Sequence, residues 1–261
     1  MTQELKQATL GAGRLFFDPY DADGDTTGER EMGDASGVII NSDLERIQAY
    51  DSTLPTQVRY IDKVIRSARS ARVTLRNIVR ENVRLFFLAD DAPVAQAAVA
   101  VVDEALTVKQ DRYYQLGVSD SNPTGVRGVT AVTVTNNDGT TTYTADTDYT
   151  LDAALGRLYI KAGGAIADDS ALKVDYTPEV QTRQRMSSDD NKLVKGALRW
   201  ISNNDPAAAN TDLYAPHVTV IPDGDYALLQ NSEFVELGLS IEFLKPANTK
   251  LKTIYLDGRP S

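Results

Sequence analysis

Along most of the chain apolar and polar residues alternate between short turn signals, a period of two residues that belongs to strands with one buried face. A mainly β fold follows. After Gly11–Phe17 comes an acidic loop, Asp18–Asp34, and then Gly37–Tyr50, where Val38, Ile40, Leu44 and Ile47 predict one arm of a long hairpin. Val58–Leu75 predicts the second arm. The connecting stretch DSTLPTQ, Asp51–Gln57, holds a proline and no large apolar cluster, as expected of an extended loop at the hairpin tip.

One helix is predicted, over about Arg76–Ala89, with Ile78, Val79, Leu85 and Phe86 as its apolar stripe and Thr74 as its cap. Beyond Asp91, Val99, Val101, Leu106 and Val108 lead to Tyr113, Tyr114 and Leu116. Val129–Thr135 and Thr140–Thr144 flank NNDG, where Asp138 and Gly139 can take the positive φ angles of a tight hairpin. Further short strands are expected around Tyr149–Leu151, Ala154–Ile160, Ala162–Ile166 and Ala171–Pro178, spaced closely enough for a small self-contained β unit. Glu179–Ser202 reads as a hairpin turning near Ser187–Asn191, and Val218–Ile221, Phe234–Leu244 and Leu251–Leu256 as the last strands.

Composition removes several chemistries. The chain of 261 residues has no cysteine, so no disulfide, thiolate or cysteine-held metal can be built. His217 is the single histidine, which removes His-pair metal motifs and leaves a Ser-His-Asp triad only one imidazole to pass through. With 27 Lys plus Arg against 37 Asp plus Glu, the net charge of −10 excludes a generic nucleic-acid clamp. The start, MTQELKQATL, lacks the apolar core of a secretory signal. The most apolar run, Ala92–Val102, is broken by Gln96 and falls short of the ~20 residues a spanning helix needs.

Several local motifs also fit simpler roles. Asp21, Asp23 and Asp25 have the spacing of the first ligands of a calcium loop, but Thr26 replaces the glycine and Met32 the closing glutamate, so a solvated acidic turn is the better reading. Arg76, Arg80 and Arg84 would form one basic stripe on the helix, and pairing with carboxylates of the same or a neighbouring subunit is preferred over phosphate contact. Asp223 with Asp225, or Glu233 with Glu236, could support glycoside hydrolysis in principle, although acids at turns and strand edges are ordinary. Gly11 and Gly13 lack the rest of a dinucleotide fingerprint, and Trp200 reads as core or subunit interface. No enzyme, cofactor or metal is expected.

Several stretches together resemble the major tail tube protein of long, non-contractile-tailed bacteriophages. They are GAGRLFFDPYDADG at Gly11–Gly24, GEREMGD at Gly28–Asp34, the hairpin around Asp51–Asp62 and TLRNIVRENVRLFF at Thr74–Phe87. TDYTLDAALGRLYI at Thr147–Ile160, LKVDYTP at Leu172–Pro178 and DGDYALLQNSEFVELGLSIEFLKP at Asp223–Pro246 complete the set. The resemblance implies a tail-tube-type β-sandwich with one flanking helix and an extended hairpin loop. Six copies would close into a ring, and rings would stack into a tube through which DNA passes without specific binding. It also implies a virion protein assembled in the host bacterial cytoplasm, with other tail components at the tube ends and no membrane partner. Residues 1–104 and 179–261 would form the tube core, and 105–178 an inserted module on the exterior. Contacts between copies would involve Asp51, Ser52, Thr53, Leu54, Pro55, Thr56 and Gln57, neighbouring residues to Tyr60, the terminal stretch Met1–Leu10, and Arg76, Arg80 and Arg84.

The alternative is an extracellular β-sandwich binding module in which the region of Tyr113, Tyr114, Tyr143, Tyr149 and Tyr159 meets a glycan or surface receptor. Those tyrosines could equally fill the small module's core.

Overall fold

The computed structural model describes residues 9–53, 55–188, 193–204 and 210–258. The fold is mainly β. In chain order its elements begin with β1 (Gly13–Pro19), β2 (Arg30–Glu31), β3 (Ala35–Asp51), β4 (Val58–Leu75) and α1 (Arg80–Phe87). There follow β5 (Asp90–Gln96), β6 (Val101–Val108), β7 (Arg112–Gln115), β8 (Val129–Asn136), β9 (Tyr149–Asp152), β10 (Arg157–Ile160) and β11 (Ser170–Pro178). The last are β12 (Gln181–Ser187), β13 (Val194–Ser202), β14 (Thr211–Pro222), β15 (Leu237–Phe243) and β16 (Tyr255–Gly258).

The chain divides into two compact units, residues 1–91 with 186–261 and residues 92–185. These limits lie outside the expected 105–178 because β6, starting at Val101, pairs with β11, and because β5 pairs with β12.

In the first unit the strand order is β2-β1-β13-β14-β15-β4-β3, with β16 joined to β14. The residues that alternate inward are Leu15 and Phe17 on β1, Ala71, Val73 and Leu75 on β4, and Leu237, Leu239 and Ile241 on β15, all buried. On β14 the inward set changes parity from Leu213 and Ala215 to Val218 and Val220. The register against β13 shifts between Gly196 and Leu198, opposite Pro216, where a residue without an N–H interrupts the ladder at low cost.

The helix is shorter than expected. β4 continues through Thr74 and Leu75 because β3 and β15 hydrogen-bond it on both sides there, so Thr74 is a strand residue and no cap. Val79 occupies the N-cap position with no side-chain hydrogen bond, and Leu85 carries the buried face. Asn82 supplies what periodicity could not reveal. Fully buried, it donates from Nδ2 to the Met32 and Asn77 carbonyls at 2.9 Å each and accepts from Arg30 Nη2 at 2.8 Å, satisfying polar groups that burial would otherwise leave unpaired.

In the second unit the sheets β6-β11-β8 and β7-β10-β9 share a core that includes Val108, Leu116, Val134, Leu158, Ile160 and Tyr176. The NNDG turn forms with Gly139 alone at positive φ (69°), Asp138 not joining it, because the Asn136 side chain caps the turn by accepting from the Thr140 and Thr141 N–H groups. The returning stretch Thr140–Thr144 makes only a bridge at Thr142, and Ala162–Ile166 forms no strand, the chain turning there as the paired glycines Gly163 and Gly164 suggest. The expected hairpin over Glu179–Ser202 is also corrected: β12 pairs with β5 while β13 pairs with β1 and β14, so consecutive strands belong to different sheets. Its turn residues 189–192 lie outside the described residues.

Asp148 ties this unit together. It is buried, and its two carboxylate oxygens accept from the Ala165 and Thr144 N–H groups at 2.8 Å each. Those donors hold its pKa below the usual aspartate value. A lowered folded-state pKa contributes stability that is complete above the unfolded value of ~3.9 and is lost as pH falls through the lower folded value. Asp148→Asn should therefore melt earlier than the parent at neutral pH, with the gap closing below about pH 4; melting curves across pH test this, and a gap independent of pH would refute it.

Candidate assembly interface

The hairpin β3–β4 outgrows the sheet that carries it. β15 pairs with β4 only over Ser70–Leu75, whereas β3 and β4 pair with each other down to Asp51 and Val58. Ser42–Asp51 and Val58–Arg69 therefore form a two-stranded ribbon, and a hairpin alone is marginal in water without a further strand or a covered face.

Register sorts the side chains. Residues directly opposite share a face, so Ile39, Ile47, Ala49, Val58 and Ile61 lie on one face and Ile40, Leu44, Tyr50 and Val64 on the other. Bulges at Ile65 and Tyr60 keep the parity of β4 in step with β3. Both faces expose large apolar groups: Ile47 is 57 % and Leu44 51 % accessible. β3 is also the last strand of its sheet, so one side of its backbone has no neighbour among the described residues.

Polar contacts on the ribbon are local. Asp62 sits between Arg59 at 3.2 Å and Arg46 at 3.4 Å, and Tyr50 Oη donates to Gln48 Oε1 at 2.9 Å. Exposed pairs of this kind contribute little to stability. At the tip, Asp51 Oδ1 accepts from the Thr53 N–H at 2.9 Å and the Thr53 hydroxyl at 2.7 Å, which holds the carboxyl below its usual range. Ser52, Pro55, Thr56 and Gln57 are exposed, while Leu54 lies outside the described residues, as do residues 1–8 of the N-terminal candidate stretch.

The arginine stripe does not form, because Arg76 precedes the helix. Arg76 pairs with Glu236 at 3.1 Å and Arg80 with Asp91, both within the chain, whereas Arg84 makes no ion pair among the described residues. Three of the four candidate acids are likewise engaged: Asp223 pairs with Arg72, Glu236 with Arg76, and Glu233 accepts from Gln230. In the acidic loop, Asp21 Oδ1 accepts from the Asp23 and Asp25 N–H groups, so that carboxylate closes its own turn. His217 lies 5.8 Å from the Tyr20 ring, and burial and then Lys195 push its pKa below the ordinary value. Trp200 packs partly buried on the core opposite Leu15 and, with Ile40, lines a groove of about 560 Å³.

The sequence points to the loop tip as the contact and does not single out the exposed apolar groups along the arms. Their signal is present: Val38, Ile39 and Ile40 in succession, and Val64 with Ile65, place apolar groups on both faces, which a strand with one solvated face does not need. No helix among the described residues is long and apolar enough to cross a membrane.

A family model described as protein of unknown function UCP028589 matches residues 8–245. No curated protein matches the chain.

Proposed function

The chain belongs to this family of unknown function, and we propose that it is a self-assembling structural protein whose copies close into rings and stack into a phage tail tube. The observation that carries the reading is the ribbon, which presents apolar side chains on two faces beside a strand edge with no neighbour among the described residues. A single copy leaves that surface in water; neighbours arranged in a closed ring would cover it and complete the backbone pairing. The six-fold ring, the virion location and the tail components at the tube ends come from the resemblance in the sequence.

The charge is compatible with a conduit. Each cationic contact to a nucleic-acid backbone releases counterions and makes binding tight, so a passage for DNA works best with carboxylates in excess, as they are in this chain. Three of the four acids weighed for hydrolysis, Asp223, Glu233 and Glu236, are engaged by arginine or amide groups, which supports a structural role over a catalytic one.

Electron microscopy of the purified protein, with sedimentation over a concentration series, tests the proposal. Rings or tubes and a sedimentation coefficient that rises with concentration are expected. A monomer at every concentration would overturn it.

A further inference from the structure

We infer that the second unit carries a carbohydrate-binding platform, built from Tyr113, Tyr159, Arg157 and Asp111, that takes the apolar face of a neutral hexose unit in a polysaccharide. This inference is independent of the ribbon and of tube assembly.

The fold separates the unit's tyrosines into two groups. Tyr149 and Tyr176 are buried, Tyr143 packs on the core, and Tyr114 packs there too, with its hydroxyl accepting from the Lys109 N–H at 2.6 Å. Tyr113 and Tyr159 are different. On β10, Leu158 and Ile160 point into the core, so Arg157 and Tyr159 occupy the outer face. Register places Tyr113 of β7 directly opposite Tyr159, and Thr150 and Asp152 of β9 opposite Tyr159 and Arg157.

The two rings lie 4.7 Å apart, centroid to centroid, with their planes at 38°. The Arg157 guanidinium sits 4.7 Å from the Tyr113 centroid, and Tyr159 Oη donates to Asp111 Oδ1 at 2.8 Å. Each ring is thus held by a charged neighbour before any ligand arrives, which lowers the ordering cost of binding. Tyr113 nevertheless remains 59 % exposed.

Chemistry selects the occupant. A hexose offers a face of C–H groups beside hydroxyls that both donate and accept. The platform offers the exposed part of the Tyr113 ring beside a guanidinium that only donates and carboxylates that only accept. Asp111 and Asp152 disfavour a phosphate chain, and an apolar peptide would have to desolvate both carboxylates and the guanidinium. A neutral sugar replaces the water on these groups with hydrogen bonds from its own hydroxyls.

The test is native affinity electrophoresis of the full chain in gels with and without laminarin, mannan, dextran or hydroxyethyl cellulose. Comparing mobility with the polysaccharide-free gel cancels the effect of assembly state. Retardation by at least one of the four is expected, weakened about tenfold by Tyr113→Ala and by Arg157→Ala. Tyr159→Phe, which keeps the ring and loses the bond to Asp111, should weaken it less. Circular dichroism confirms that each variant is folded; Tyr113→Ala is the safest, being mostly exposed. No retardation in any gel, or retardation unchanged in both Tyr113→Ala and Arg157→Ala, would overturn the inference. So would loss of self-association in Tyr113→Ala, which would assign these rings to contact between copies.

Discussion

Replacing Ile47 and Ile61 together by aspartate should yield a folded monomer that forms neither rings nor tubes. The two residues lie on the same face of the ribbon, since Ile61 is opposite Ala49 and Ile47 opposite Lys63. Both are exposed in the single chain, so their loss removes little packing, and surface changes of this kind alter stability by only about 0.5 kcal/mol. At a contact between copies the balance reverses. An unpaired carboxylate placed against apolar side chains costs several kcal/mol or forces the contact apart, and a ring repeats that cost at every interface. Sedimentation velocity beside circular dichroism separates the two effects. Tubes of the parental kind formed by the double variant would remove this ribbon face from the assembly and with it the main support for the proposed function.

The second large effect is on stability. Phe17→Ala should destabilise the first unit by about 3–5 kcal/mol, the usual cost of deleting a buried aromatic ring and leaving a cavity. Phe17 has no accessible surface and belongs to the core cluster with Leu15, Met32 and Leu198. Its ring fills the space beside Gly196, where a Cβ would lie 2.7 Å away, so from that position no side chain can take its place. The readout is selective. Trp200 is the only tryptophan of the chain and packs on this core, so its fluorescence follows the unfolding of the first unit. A tryptophan transition unmoved by Phe17→Ala would show that this ring is not integral to the core, whereas Asp148→Asn, which acts on the other cluster, should leave that transition in place.

The arms of the long hairpin were legible almost to the residue, because their alternation runs far enough to fix both direction and extent: Gly37–Tyr50 and Val58–Leu75 were expected, and β3 spans Ala35–Asp51 and β4 Val58–Leu75. The start of the helix was not. Thr74 has the side chain of a cap, but two neighbouring strands offer its backbone hydrogen bonds that a helix could not match. Of the candidate interface only the tip drew notice in the sequence. A proline and polar residues marked the tip, while the exposed apolar groups lie along the arms, where any strand pattern predicts apolar residues and cannot tell a covered one from an uncovered one. The tyrosines of the second unit follow the same rule: all were visible, and only the register of β7 on β10 separated the two surface rings from the buried ones.

By itself, the sequence determined the mainly β class, the long hairpin, the absence of thiol chemistry and the excess of negative charge. These depend on residue identity and on the direction in which successive side chains point, both local properties. The tertiary structure decided where β4 yields to the helix, that β12 and β13 enter different sheets, and which isoleucines and tyrosines remain in water. Each of those is settled by what lies across the sheet, and cross-strand neighbours come from distant parts of the chain whose arrival no local period encodes.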